Sequence, residues 1–129
     1  MKYILVGEDD IDDQEVLQEI FSDINNSFEL RFINNGRQVI GFLKTLEEAE
    51  MPCLIVLDYN MPELNGEEIL KNLQKEGRFK EVPKILWSTS ESSANKTKCL
   101  ELGASDFIVK PSTVRDLEKI AKYMLSFCS

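Results

Sequence analysis

The chain has 129 residues, enough to bury one real core and too few for two domains. Its apolar fraction of 43% and charged fraction of 29% are ordinary for a globular protein, and no apolar run approaches the roughly 20 residues of a membrane-spanning helix. A formal charge of −8 argues against nucleic acid as a partner, and the absence of histidine excludes a Ser-His-Asp triad, histidine-ligated zinc and any phosphohistidine within the chain.

The amino terminus enters a strand pattern at once, Tyr3–Val6, without the small-residue cleavage site of a secretory signal. Val16, Leu17, Ile20, Phe21 and Ile24 then mark one face of a first helix. Phe28–Ile33 alternates apolar and polar residues, which places a second strand at a sheet edge. Val39, Ile40, Leu43 and Leu46 mark a second helix. Cys53–Leu57 is a continuous apolar run ended by Asp58 and, soon after, Pro62; it reads as a central buried strand handing over to a loop. Ile69, Leu70 and Leu73 predict a third helix, Lys84–Trp87 a fourth strand, and Cys99, Leu100 and Leu102 a weaker fourth helix. A fifth strand is expected over Asp106–Val109. The last helix carries Leu117, Ile120, Ala121, Met124 and Leu125 behind Thr113-x-x-Asp116, which resembles a capping box.

Five strand–helix alternations imply one α/β domain over residues 1–129, a doubly wound parallel sheet with helices on both faces and right-handed crossovers. No output domain is expected after the fifth helix. Cys53, Cys99 and Cys128 are odd in number, far apart and free of metal-ligand spacing, so they are expected to be buried, reduced thiols of a cytoplasmic protein.

Chemistry in such a sheet belongs at the carboxyl ends of the strands. Glu8, Asp9 and Asp10 follow the first strand, and Asp12 and Asp13 stand just beyond; the last two are equally well read as a solvated helix start. If Asp58 lies across from Glu8 and Asp9, each carboxylate pair at ~4 Å repels by about 4 kcal/mol at an effective dielectric of ~20. Such a corner takes up protons or a cation. Hard oxygen donors without histidine or thiolate favour Mg²⁺, whose open positions admit a phosphoryl oxygen. Lys110, at the end of the fifth strand before Pro111, gains a partner if it faces this corner: Asp58 first, then an added phosphoryl group. A cis Lys110–Pro111 bond would fix its direction. Ser88, after the fourth strand, would offer a hydroxyl donor. Phe107 is a core aromatic unless its rotamer follows Ser88.

Together these residues closely resemble the receiver domain of two-component response regulators, over the full length of the chain. The resemblance rests on Glu8-Asp9, Asp58 within Leu57-Asp58-Tyr59-Asn60-Met61-Pro62, Gly66, Ser88-Thr89, and Lys110-Pro111 preceded by Gly103-Ala104-Ser105-Asp106-Phe107. It implies a flavodoxin-like fold with strand order 2-1-3-4-5. It implies Asp58 as phosphoacceptor from a phosphohistidine on a partner histidine kinase or phosphotransfer protein. Mg²⁺ would be held by Glu8, Asp9, Asp58 and the backbone carbonyl of Asn60. Lys110 would neutralise the phosphoryl group and Ser88 would move toward it. Phe107 would turn inward and reshape the surface of the fourth helix, fifth strand and fifth helix for a downstream protein. Dimerisation through the last helices, and a role as effector or as relay, both stay open.

Departures from the family pattern bear on this expectation. Serine stands at 88 where threonine is usual, phenylalanine at 107 where tyrosine is frequent, and Gly7 where a β-branched residue would stiffen the first strand. Asn60 and Ser90, at positions lining the water path, predict slow self-hydrolysis. The longer connection Glu76–Glu81 and the acidic run after Glu8 resemble receivers that partner phytochromes. Three rival readings are a receiver used only as an interaction module, an aspartate-nucleophile phosphohydrolase and a nucleotide-binding fold. The phosphohydrolase wants an acid at 60, where asparagine stands; the nucleotide fold lacks GxGxxG and GxxxxGK. The expected protein is therefore a phosphoacceptor that catalyses only its own phosphorylation and slow dephosphorylation.

Overall fold

The computed structural model describes residues 2–25, 27–90 and 92–128. Five strands, β1 (Tyr3–Gly7), β2 (Glu29–Ile33), β3 (Leu54–Asp58), β4 (Lys84–Ser88) and β5 (Asp106–Val109), form one parallel sheet in the order β2-β1-β3-β4-β5. Between and after them run α1 (Ile11–Ile24), α2 (Gly36–Lys44), α3 (Gly66–Glu76), α4 (Ser93–Glu101) and α5 (Val114–Ser126), with a 3-10 turn at Glu48–Glu50. Every strand starts within a residue of where its apolar run predicts. β2 is at an edge, as its alternation requires.

Successive residues of a strand face opposite sides of the sheet, and here both sides are covered. Tyr3, Leu5, Ile55, Leu57, Leu86 and Phe107 pack with α2 and α3 through Val39, Leu43, Ile69, Leu70 and Leu73. Ile4, Val6, Leu54, Val56, Ile85 and Trp87 pack with α1 and α5 through Leu17, Phe21, Leu117, Ala121 and Met124. Each fully buried aliphatic side chain contributes about 1.5–3 kcal/mol relative to exposure, so the continuous apolar runs of β3 and β4 are what make them central strands.

Side chains cap the helices where the chain leaves the sheet. Asp10 accepts from the amides of Asp12 and Asp13, Asn35 from Gln38, Ser92 from Asn95 and Thr113 from Asp116. Asn65 and Glu68 form a reciprocal capping box on α3, and Gly77, at φ 73°, ends that helix in the left-handed region. Thr113 makes only its own half of the box expected at α5.

Several expectations need correction. Cys53 and Cys128 are not free thiols: their Cα atoms stand 5.2 Å apart and the sulfurs are joined in a disulfide that ties the end of α5 to the start of β3. Spacing in sequence concealed the pairing because it is a product of the fold, which brings residues separated by 75 positions together. Cys99 alone is a buried thiol, so the cysteines no longer argue for a reducing compartment. Leu46 is buried but lies beyond α2, and Val16 and Leu100 face solvent. The Lys110–Pro111 bond is trans. Gly7 belongs to β1 rather than loosening it; a Cβ there would come 2.9 Å from Met61 Cε, whose side chain fills the space.

Candidate functional site

The carboxyl edge of the sheet collects Glu8 after β1, Asp58 at the end of β3, Ser88 at the end of β4 and Lys110 after β5. Asp9 and Asp13 come from the turn into α1 and its first turn. Of the residues singled out in the sequence, Glu8, Asp9, Asp58 and Lys110 do converge. One oxygen each from Glu8, Asp9 and Asp58 lies within 4.8 Å of the others.

Glu8 is 0% exposed and is fixed from several sides. Its amide donates to Ile33 O at 2.9 Å, its Oε2 accepts from the Asp10 amide at 3.0 Å, and its carbonyl accepts from Gln14 Nε2 at 2.7 Å. Burial pushes the Glu8 carboxyl up to about 7, against the opposing pull of Lys110. Burial likewise raises Asp9, and the neighbouring Asp58 carboxylate adds to the shift.

Asp58 is 6% exposed, its two oxygens held differently. Oδ1 accepts from the Asn60 amide at 3.0 Å, and Oδ2 faces Lys110 Nζ at 3.2 Å. The same ammonium lies 2.8 Å from Glu8 Oε1 and 2.9 Å from Asp13 Oδ2. Desolvation works to lower the Lys110 pKa, but Glu8, Asp13 and Asp58 outweigh it and hold the group above the ordinary lysine value. Its position is set at the backbone, where the Lys110 amide donates to Ser88 O at 2.7 Å. Nζ also sits 4.9 Å from the centre of the Trp87 ring.

Ser88 is buried, and its Oγ accepts from the Ser90 amide at 3.3 Å. Phe107 is already inside the core, with Tyr59 edge-on at 5.7 Å between ring centres. The Tyr59–Gly66 segment is tightly held. The Gly66 amide donates to Tyr59 O at 3.0 Å, and a Cβ on Gly66 would fall 2.3 Å from Leu86 Cδ1. Glu63, at φ 71°, stands between Pro62 O and the Leu64 amide that donates to it at 2.9 Å, a strained γ-turn in the segment that follows Asp58. Sequence reasoning underrated Asp13 and missed Trp87. The signal for Asp13 was present: it stands three residues after the cap Asp10, on the first turn of α1, where its side chain reaches Lys110.

The donor set fits a hard divalent cation. Three carboxylates share one corner, and no acceptor other than oxygen is among them. Glu8 Oε1 is buried with no hydrogen bond among the described residues, and the Lys110 ammonium stands 2.8 Å from it.

The matched family model is the response regulator receiver domain, over residues 4–122, and the chain belongs to that family. The two-component response regulator ORR5 of Oryza sativa subsp. japonica is 31% identical over 117 residues, covering 89% of this chain and 85% of that protein. Among solved structures, the Mn(2+)-bound response regulator Rcp1 superposes with a TM-score of 0.86 at 28% identity, covering 99% of this chain and 94% of its own. The phosphorylated cyanobacterial phytochrome response regulator RcpA gives 0.86 at 27% identity, covering 98% and 92%. The sheet order and helices are those of the flavodoxin-like receiver fold. The chain is thus a two-component signalling domain with an acidic pocket suited to a divalent metal. No described helix is long and apolar enough to cross a membrane.

Proposed function

We propose that this chain accepts a phosphoryl group on Asp58 from a phosphohistidine of a partner histidine kinase or phosphotransfer protein, in a Mg²⁺-dependent step. The observation that carries the reading is the Lys110 ammonium bridging Glu8 and Asp58. Two nearly buried carboxylates thereby share one ammonium, beside a third acid at the same corner.

Glu8, Asp9, Asp58 and the carbonyl of Asn60 are the residues that would hold the metal; the Mn(2+)-bound form of the related Rcp1 supports a divalent ion in such a domain. Bound there, the ion would offset the negative charge of the carboxylates and of the incoming phosphoryl oxygens. An Asp58 oxygen attacks phosphorus as the bond to the histidine nitrogen breaks, and the freed imidazole leaves with the donor protein. Lys110 then passes from Asp58 Oδ2 to a phosphoryl oxygen. Phosphorylation of the related RcpA supports the same chemistry here. With the phosphodonor on a kinase that spends ATP, the reading places the reaction in the cytoplasm.

The added group brings about −1.5 to −2 charges to a site next to Ser88 and Tyr59. The responding surface is α4-β5-α5. Cys99 is the one buried residue of α4, so little apolar area anchors that helix, and Leu100, Val109 and Tyr123 offer exposed apolar surface to a downstream protein. Phe107, packed on Tyr59, would transmit the change from Ser88.

The test is incorporation of label from acetyl phosphate with and without Mg²⁺, followed by Trp87 fluorescence, since Trp87 is the single tryptophan and lies under Lys110. Wild type should label and quench or brighten only with Mg²⁺. Equal partner affinity with and without beryllium fluoride would favour the phosphorylation-independent module instead.

A further inference from the structure

The amino end of β4, opposite the acidic site, holds a charge with no counter-charge among the described residues. Lys84 begins β4 on the face covered by α3 and α4 and is 7% exposed. Its Nζ donates to Phe79 O at 2.5 Å and to Val82 O at 2.8 Å, both in the connection from α3. Among the described residues no carboxylate lies within ion-pair distance of it. Two of the three ammonium hydrogens are thus accounted for by carbonyls, and the positive charge itself is unmatched. Burial accordingly lowers the Lys84 pKa, with Glu81 pulling weakly the other way. In a chain with 23 acids and 15 bases, an unmatched buried cation is not what composition alone would produce.

Lys84 lines a cavity of about 380 Å³ between the end of α3 and the turn from α4 into β5. That volume lies within the ~300–1,000 Å³ of small-molecule sites. Leu70, Leu73 and Leu102 supply apolar walls, and the exposed Lys80 and Gln74 are polar lining residues. No acid lines it. An apolar chamber with one buried and one exposed cation has the complement of a short-chain organic carboxylate: the tail against the leucines, the head on the lysines.

We propose that this cavity is a binding site for a small amphipathic monoanion, a carboxylate with a short apolar tail, anchored by Lys84 and Lys80. The carboxylate supplies the counter-charge that Lys84 lacks, and desolvation of its tail supplies the remaining driving force. The site lies at the other end of β4 from Ser88 and is independent of the chemistry at Asp58.

Amide shifts of Gly77 and Gly103, which border the cavity, read the binding directly in ¹⁵N-labelled full chain. Octanoate should shift both saturably, octylamine and inorganic phosphate at least tenfold more weakly. The global charge of −8 favours the amine, so a preference for octanoate runs against the field of the protein and reports on the local lysines. Lys84→Met should weaken octanoate at least tenfold, and Lys80→Met, at an exposed position that leaves folding intact, about threefold. Octylamine or phosphate binding as tightly as octanoate, non-saturating shifts, or octanoate affinity unchanged in Lys80→Met and in any folded Lys84→Met would overturn the assignment.

Discussion

Lys110 Nζ stands 3.2 Å from Asp58 Oδ2 and, on its other side, 2.8 Å from Glu8 Oε1, so one ammonium separates two buried carboxylates. Removing it leaves both acids buried without their shared cation. Breaking a buried pair in this way costs on the order of 3 kcal/mol. Lys110→Met should therefore lose about that much in urea unfolding without added metal. Lys122, paired with Glu118 at 3.9 Å on the surface, gives the contrast: its methionine variant should change stability by less than about 0.5 kcal/mol. Equal losses for the two would contradict the buried bridge.

Gly7 and Gly66 both stand where a side chain would collide, but the obstacles differ. At Gly7 the contact is the tip of Met61, a flexible thioether that can swing aside; at Gly66 it is Leu86 Cδ1 at 2.3 Å, with Tyr59 Cα at 3.2 Å behind it. Gly66→Ala should cost roughly 1–3 kcal/mol by overpacking, and Gly7→Ala less than about 1 kcal/mol. Thermal unfolding of the two variants checks the order.

The cysteines give a chemical count. Unfolded, unreduced protein should show one reactive thiol, Cys99, and three after reduction. Folded protein at pH 8 should react slowly, because burial raises the Cys99 thiol from 9.0 to about 11. A raised acid holds its proton longer in the folded state than in the unfolded one. Its contribution is present below pH 9 and lost as pH climbs from about 9 toward 11, and Cys99→Ala should remove that part of the alkaline slope. Reduction of Cys53–Cys128, which closes a loop of 75 residues, should cost up to roughly 4 kcal/mol on a chain-entropy basis. Three reactive thiols before reduction would contradict the pairing.

How far the fold could be read in the sequence depended on where the information lay. β3 and β4 were legible because residues buried on both faces leave an unbroken apolar run, and β2 because an edge strand alternates. Glu8, Asp58 and Lys110 were legible because each stands at the end of a strand or directly after it, and parallel strands deliver their carboxyl ends to one rim. Asp13 was obscured because an acid in the first turn of a helix is explained equally well by the helix dipole. The Cys53–Cys128 pair and the unmatched charge of Lys84 are long-range facts. The first depends on where α5 ends against the sheet, and the second on how the α3–β4 connection wraps its carbonyls around one ammonium.

Ile11 and Val114 are each 67% exposed at the starts of α1 and α5, flanking the rim that carries Asp13 and Lys110. Exposed aliphatics beside a reactive site serve a protein donor better than a small one. The pair Ile11→Ala and Val114→Ala should slow transfer from a phosphorylated histidine protein about tenfold, the effect of losing one or two apolar contacts, and leave labelling by acetyl phosphate within twofold. Parallel loss with both donors would place these residues in the chemistry rather than in docking.

The central claim, that Asp58 receives the phosphoryl group, is tested most directly by intact-mass analysis of wild type and Asp58→Asn after exposure to acetyl phosphate and Mg²⁺. Wild type should gain the mass of one phosphoryl group, lose it on treatment with hydroxylamine, and show none when Mg²⁺ is chelated. Asp58→Asn should stay at its starting mass throughout. The same gain on the asparagine variant, or on chelated wild type, would contradict the account.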